Sequence, residues 1–198
     1  MGFVANQRLE KIVSQASDVE TQRQELLFKL LVNFDKVRVH NKRRCPKPYE
    51  LAHRVYILQN MGFISSAWKF DEPEDTQRIY DTTLLHVDLE RLEKEGFISC
   101  VQGYRVNDVV RDNYLKGKLD LEGKTAPEFV RIVERAEHRV VDDLAKILYF
   151  AQHGQGKVNS IKSRAKCSPY QIDEGRYDQA MVLYEKLRLL DPKKQRLL

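Results

Sequence analysis

Cysteine is scarce in this chain, with only Cys45, Cys100 and Cys167 among 198 residues and no CxxC pair. An odd number of widely spaced thiols rules out a zinc knuckle or a thioredoxin-type motif and fits a reduced interior. Long apolar runs are also missing. The opening MGFVANQRLEKIV lacks the roughly seven apolar residues of a signal-peptide core. No uninterrupted stretch approaches the roughly 20 residues that span a bilayer. Asn6 stands where a myristoylation start needs Ser or Thr. These absences lead to the expectation of a cytoplasmic protein without a membrane partner.

Catalytic signatures are absent as well. No GxSxG, Walker loop or GxGxxG occurs. The five histidines, His40, His53, His86, His138 and His153, form neither HExxH nor another ligand spacing on one helix face. Glu134, Glu137, Asp142 and Asp143 read as the solvated side of a helix, since paired carboxylates without a cleft carry no chemistry. No catalytic residue, metal or cofactor is therefore expected. Neither sign of charge dominates, with 34 basic against 29 acidic side chains for a net +5. Nucleic acid is permitted as a partner but not demanded, because a phosphate-binding face needs clustered cations more than net charge.

What is present is a core's worth of apolar residues, 42% of the chain, in helical periodicity. Residues 6–34 read as one helix or two, with Ser17-Asp18 as a cap between segments. A basic stretch follows, Lys36 to Lys47, closed by Pro46 and Pro48. Pro48 opens a helix, PYELAHRVYILQNMGF, with Leu51, Val55, Leu58 and Met61 on one face and Gly62 as its stop. Residues 80–95 form the clearest helix, with Leu85, Leu89 and Leu92 as its stripe, closed by Gly96. FISCVQGYRV reads as two short strands around a Gln102-Gly103 turn, in which Ile98 and Val106 pair. Residues 105–124 are polar. Residues 125–152 read as one helix of about 25 residues (roughly 37 Å). Pro169 opens a last helix through Leu190. LAHRVYILQ at 51–59 echoes LAKILYFAQ at 144–152, which reads as chance because amphipathic helices reuse few residue types.

The order helix, basic turn, helix, helix, strand, turn, strand is that of the winged helix-turn-helix. The expected fold is mainly α with a small β-wing over residues 1–110, followed by a helical C-terminal extension over 111–198. The segment RVYILQNMGF, a spacer to Tyr80, then LERLEKEGFI and GYRV, resembles the YwgA-type and SocA-like (Panacea) winged-helix family over roughly residues 25–110. The positions that carry the likeness are Val55, Tyr56, Leu58, Gln59, Phe70, Tyr80, Asp81, Leu89, Leu92, Gly96 and Tyr104. The family's Tyr-Gly-Pro before its second helix is replaced by DEPEDTQRIYD, and the helices from 125 onward have no counterpart in it. The resemblance implies the fold, and a role as an antitoxin or as an adaptor that delivers a partner for proteolysis.

For function, the leading expectation is a dimeric regulator that binds DNA. Phosphate contacts would come from Arg38, Lys42, Arg43, Arg44 and Lys47, and from Lys162 and Arg164 in a second basic cluster. Gln102 and Arg105 in the wing would reach the minor groove or the backbone. The third helix, the usual reading element, is expected to carry His86, Asp88, Glu90, Arg91, Glu93 and Glu95 on its exposed side, which is poorly matched to a phosphate-lined groove. The apolar residues Phe129, Ile132, Val133, Val140, Leu144, Ile147 and Leu148 are expected to pair with a second copy or dock a partner. The alternative is a non-catalytic protein-interaction module: an antitoxin, an adaptor or a subunit of a larger complex.

Overall fold

The computed structural model describes residues 2–40, 45–64, 67–70, 83–116, 126–152 and 172–190. Within them the chain is mainly helical: α1 (Gly2–His40), α2 (Pro48–Asn60), α3 (Thr83–Lys94), α4 (Asp108–Lys116), α5 (Ala126–Arg135), α6 (His138–Gln152) and α7 (Glu174–Arg188). Between α3 and α4 lie two strands, β1 (Ile98–Cys100) and β2 (Tyr104–Val106), in one antiparallel ribbon. No helix among the described residues is long and apolar enough to cross a membrane.

Helix α1 runs unbroken through Ser17-Asp18. No Pro or Gly interrupts positions 3–45, and the i,i+4 contacts Gln24–Glu20 and Lys29–Glu25 bind successive turns together. Its inner stripe, Leu27, Leu30, Leu31 and Phe34, joins a core that extends to Leu187. Helix α1 packs on α3, β2 and α5, while α2 packs on α6 and α6 on α7. The boundary read at 110/111 falls inside α4, and the helices beyond it share the core of those before it.

The ribbon has the register expected of it, Ile98 opposite Val106. Its placement follows from the end of α3. Gly96 adopts φ +78°, open to glycine without a Cβ penalty. That lets the Gly96 amide donate to Glu93 O and the Phe97 amide to Leu92 O, both at 2.9 Å, the paired bonds of a Schellman stop. Phe97 then lies 5.4 Å ring to ring from Phe28 of α1. Leu85, Leu89 and Leu92 are buried beneath.

Three helical expectations are corrected. Residues 125–152 form two helices, not one. At the break the Ala136 amide is shared between Ile132 O and Val133 O, and the Val141 amide restarts the ladder on Glu137 O. Residues 108–116 within the polar stretch are helical, with Asp108 favourable at an N-terminus. The last helix begins at Glu174 behind an Asp173 cap, whose carboxylate accepts from the Arg176 amide at 2.8 Å.

The core also holds buried charge where the sequence reading placed solvated faces. Residues 50–58 of α2 are buried throughout, including Glu50, His53 and Arg54. The Arg54 guanidinium reaches Glu134 of α5 at 2.6 Å, the Glu50 carbonyl at 2.7 Å and His138 Nδ1 of α6 at 2.7 Å. His53 Nδ1 lies 2.7 Å from Asp142. Asp143, fully buried, accepts two bonds from Arg176 of α7. The echoing segments 51–59 and 144–152 face each other, with the Tyr56 hydroxyl donating to Gln152 at 2.7 Å.

Lys146, half-buried beside this cluster, has its pKa lowered from the ordinary 10.5 by burial, against the pull of Asp143 and Asp142. A folded pKa below the unfolded one means that the charged lysine destabilises the fold at neutral pH. That penalty fades as pH rises through the folded value towards 10.5. Lys146→Met is expected to raise the melting temperature at pH 7, by a margin that shrinks as the pH approaches 10.5. Paired thermal melts across that range check it, and an equal margin at every pH contradicts it.

Candidate nucleic-acid interface

The basic stretch and the ribbon are far apart in sequence, and main-chain chemistry joins them. The Tyr104 amide at the start of β2 donates to Pro46 O at 3.0 Å. Gly103 lies so close that a Cβ there would sit 2.7 Å from the carbonyl oxygens of both Cys45 and Pro46. Its φ of +128° is one that residues with side chains rarely adopt. Lys47 follows at once, exposed, its amide donating to Glu50 Oε2 at 2.9 Å as the helix begins. The ribbon is fixed from its other edge by Glu93, which accepts from the Cys100 amide at 2.9 Å.

Arg38 belongs to this junction in a different role from the one expected. It is only 7% exposed and bonded to Asp35 one turn earlier, so its guanidinium is not presented to a phosphate. Its second nitrogen lies 2.9 Å from Cys45 Sγ. Asp35, itself buried, also takes Arg111 of α4 at 3.0 Å. The cluster thus ties the end of α1, the Cys45-Pro46 segment and the helix after the ribbon into one corner. Arg38 is a strut beneath this corner rather than a group on its surface.

Lys47 is exposed on this corner, as are Gln102 and the ribbon's Arg105, while Lys36 is exposed elsewhere on the last turns of α1. Arg105 pairs with Asp108 at 2.9 Å, with more than half of each side chain in water. Such a pair is worth about 1 kcal/mol or less, so a phosphate can compete for the guanidinium. Val101 at the tip is 88% exposed. The Cys100 thiol is pushed above its ordinary pKa by partial burial and then by the Glu93 carboxylate, which leaves it a poor nucleophile. Lys42, Arg43 and Arg44, and Lys162 and Arg164 of the second basic cluster, lie outside the described residues.

The α3 surface differs from its expected outline in one residue. Asp88 is fully buried, holding Arg23 of α1 through two bonds at 2.5 and 2.8 Å and the Trp68 indole N–H at 2.9 Å. The remaining exposed face mixes Glu90, Glu93 and Glu95 with Arg91 and Lys94. Leu84 and Val87 are 43% and 44% exposed on the same helix. A shallow cavity of about 600 Å³ is lined by Val87, Glu90, Arg91, Lys94 and Glu95.

The expected interface on residues 129–148 is corrected. Phe129, Val133, Leu144, Ile147 and Leu148 are buried in the chain's own core, where the buried α5–α6 stripe meets α1, α2 and α7. Only Ile132 and Val140 keep partial exposure, beside α7. The residues that sequence reasoning missed are Asp35 and Arg111, and Gly103 is legible there as a turn residue but not as a contact of Cys45 and Pro46. Asp35 and Arg38 stand at i,i+3 spacing, the one local signal of their pairing. No group of three or more His, Cys, Asp or Glu able to hold a metal occurs among the described residues. Comparison with known proteins finds no matching family model, no matching curated protein and no matching solved structure.

Proposed function

We propose that this chain is a winged-helix protein that binds duplex DNA through the corner where the basic segment meets the ribbon, the ribbon acting as the wing. The observation that supports this most is the Tyr104–Pro46 hydrogen bond with Gly103 pressed against Cys45 and Pro46. It sets Lys47 beside the strand that bears Arg105. The acidic residues on α3 disfavour base reading in a major groove, so the reading is of backbone contact, with affinity set by phosphate neutralisation.

Fluorescence anisotropy with a labelled duplex, titrated over increasing salt, tests it. Binding is expected at about 50 mM salt and should fall steeply with salt. The double variant Lys47→Glu/Arg105→Glu is expected to bind at least tenfold more weakly and to flatten the log-log salt slope by roughly two. Failure to bind any duplex at low salt removes the proposal, and an unaltered slope in the double variant moves it away from this corner.

A second reading, favoured by the apolar exposure of Leu84 and Val87, is a protein-interaction module that presents α3 to a partner, in line with the antitoxin or adaptor role that the family resemblance implies. Under it Val87→Asp abolishes a stoichiometric complex and leaves duplex binding unchanged.

A further inference from the structure

The outward stripe of α7 is self-complementary, and we propose that it pairs two copies of this chain about a two-fold axis through Val182. Val182 and Leu189 are 56% and 70% exposed, seven residues apart on one helix face. Asp178 and Lys186, both exposed, stand four residues before and after Val182. A two-fold axis that crosses an antiparallel helix pair at Val182 sets each residue against the one equally far on the other side of it. Asp178 meets the partner's Lys186, Lys186 meets the partner's Asp178, and the valines meet on the axis. Leu189 falls against the partner's Gly175, an exposed position whose missing side chain leaves room for it. An isologous interface requires this kind of reciprocity.

The flank of the stripe extends the surface. A groove of about 580 Å³ runs beside α7, lined on its far wall by Ile132, Ala136 and Val140 together with the charged Arg135 and Glu137 at the α5–α6 break. It offers a mixed apolar and charged surface to a second copy lying along α7. A pair of fifteen-residue helices with this flank is a small contact beside a standard interface of roughly 1,200–2,000 Å², so the association expected is weak and not obligate. The inference does not rest on the duplex-binding reading. Its test contains no DNA, and either can fail without the other.

Sedimentation equilibrium on the full chain, from about 1 to 300 µM in low salt, measures it. The weight-average mass is expected to climb from 23.3 kDa towards twice that value. Asp178→Lys sets lysine against the partner's Lys186 and should weaken association at least tenfold. Asp178→Lys/Lys186→Asp restores opposite charges in reversed sense and should recover wild-type association to within about threefold. Val182→Asp should keep the chain monomeric with an unchanged circular dichroism spectrum. A wild type that stays at 23.3 kDa throughout overturns the inference. So does a double variant no better than Asp178→Lys.

Discussion

Arg54→Met is expected to destabilise the protein by about 3–5 kcal/mol, because it strips the buried Glu134 carboxylate of its guanidinium while leaving that charge in the core. Arg54 is fully buried, and its three bonds join α2 to α5 and α6. Methionine fills much of the volume but supplies no donor to Glu134, to the Glu50 carbonyl or to His138. Against a total stability of about 5–15 kcal/mol, such a loss brings the chain close to unfolding at physiological temperature. Urea unfolding followed by circular dichroism measures it. The double variant Arg54→Met/Glu134→Gln separates the causes. Removing the Glu134 charge as well should recover much of the loss, since a buried pair replaced on both sides often costs little. A single variant within 1 kcal/mol of wild type would contradict the view that Arg54 is what holds the Glu134 charge in the core.

The second large effect falls on the candidate interface. Gly103→Ala is expected to cost about 3 kcal/mol, from a Cβ pressed against two main-chain oxygens at 2.7 Å and a backbone angle that L side chains rarely adopt. Backbone carbonyls cannot yield as a flexible side chain does, so the ribbon must either lift from Cys45-Pro46 or carry the strain. Both outcomes disturb the spacing between Lys47 and Arg105. The variant should therefore lose duplex affinity as well as stability, whereas Val101→Ala at the free tip should change neither. Denaturation midpoints and anisotropy titrations on the two variants decide this. A Gly103→Ala protein with wild-type stability would show that the close approach is not a constraint.

What could be read from sequence was what short-range chemistry dictates. Gly96 after a leucine stripe marks a helix stop, and alternation around Gln102-Gly103 marks a ribbon. Both stand where the pattern places them, with the expected Ile98–Val106 pairing. The break at 136–137 has no Gly or Pro to announce it. It lets Glu134 and His138 converge on Arg54 from successive helices, a tertiary demand that periodicity does not encode. The same blindness applies to Asp88, Asp143 and Arg38. A charged residue counts as solvent-facing in any hydrophobic pattern, and only the fold reveals that Asp88 and Asp143 are met by arginines tens of residues away, and that the Asp35–Arg38 pair is buried under Arg111 of a later helix. The interface on residues 129–148 was misassigned for a related reason. A broad apolar stripe signals burial but does not say against what, and here the neighbours are the chain's own helices.

Trp68 is the lone tryptophan of the chain, and its indole N–H is spent on the carboxylate that also clasps Arg23. Nature has thereby installed a single-site optical probe at the seam between the first and third helices. Its emission should redden as soon as those helices part, whether or not the rest of the molecule has melted. An early spectral shift relative to the loss of ellipticity would reveal that seam opening on its own.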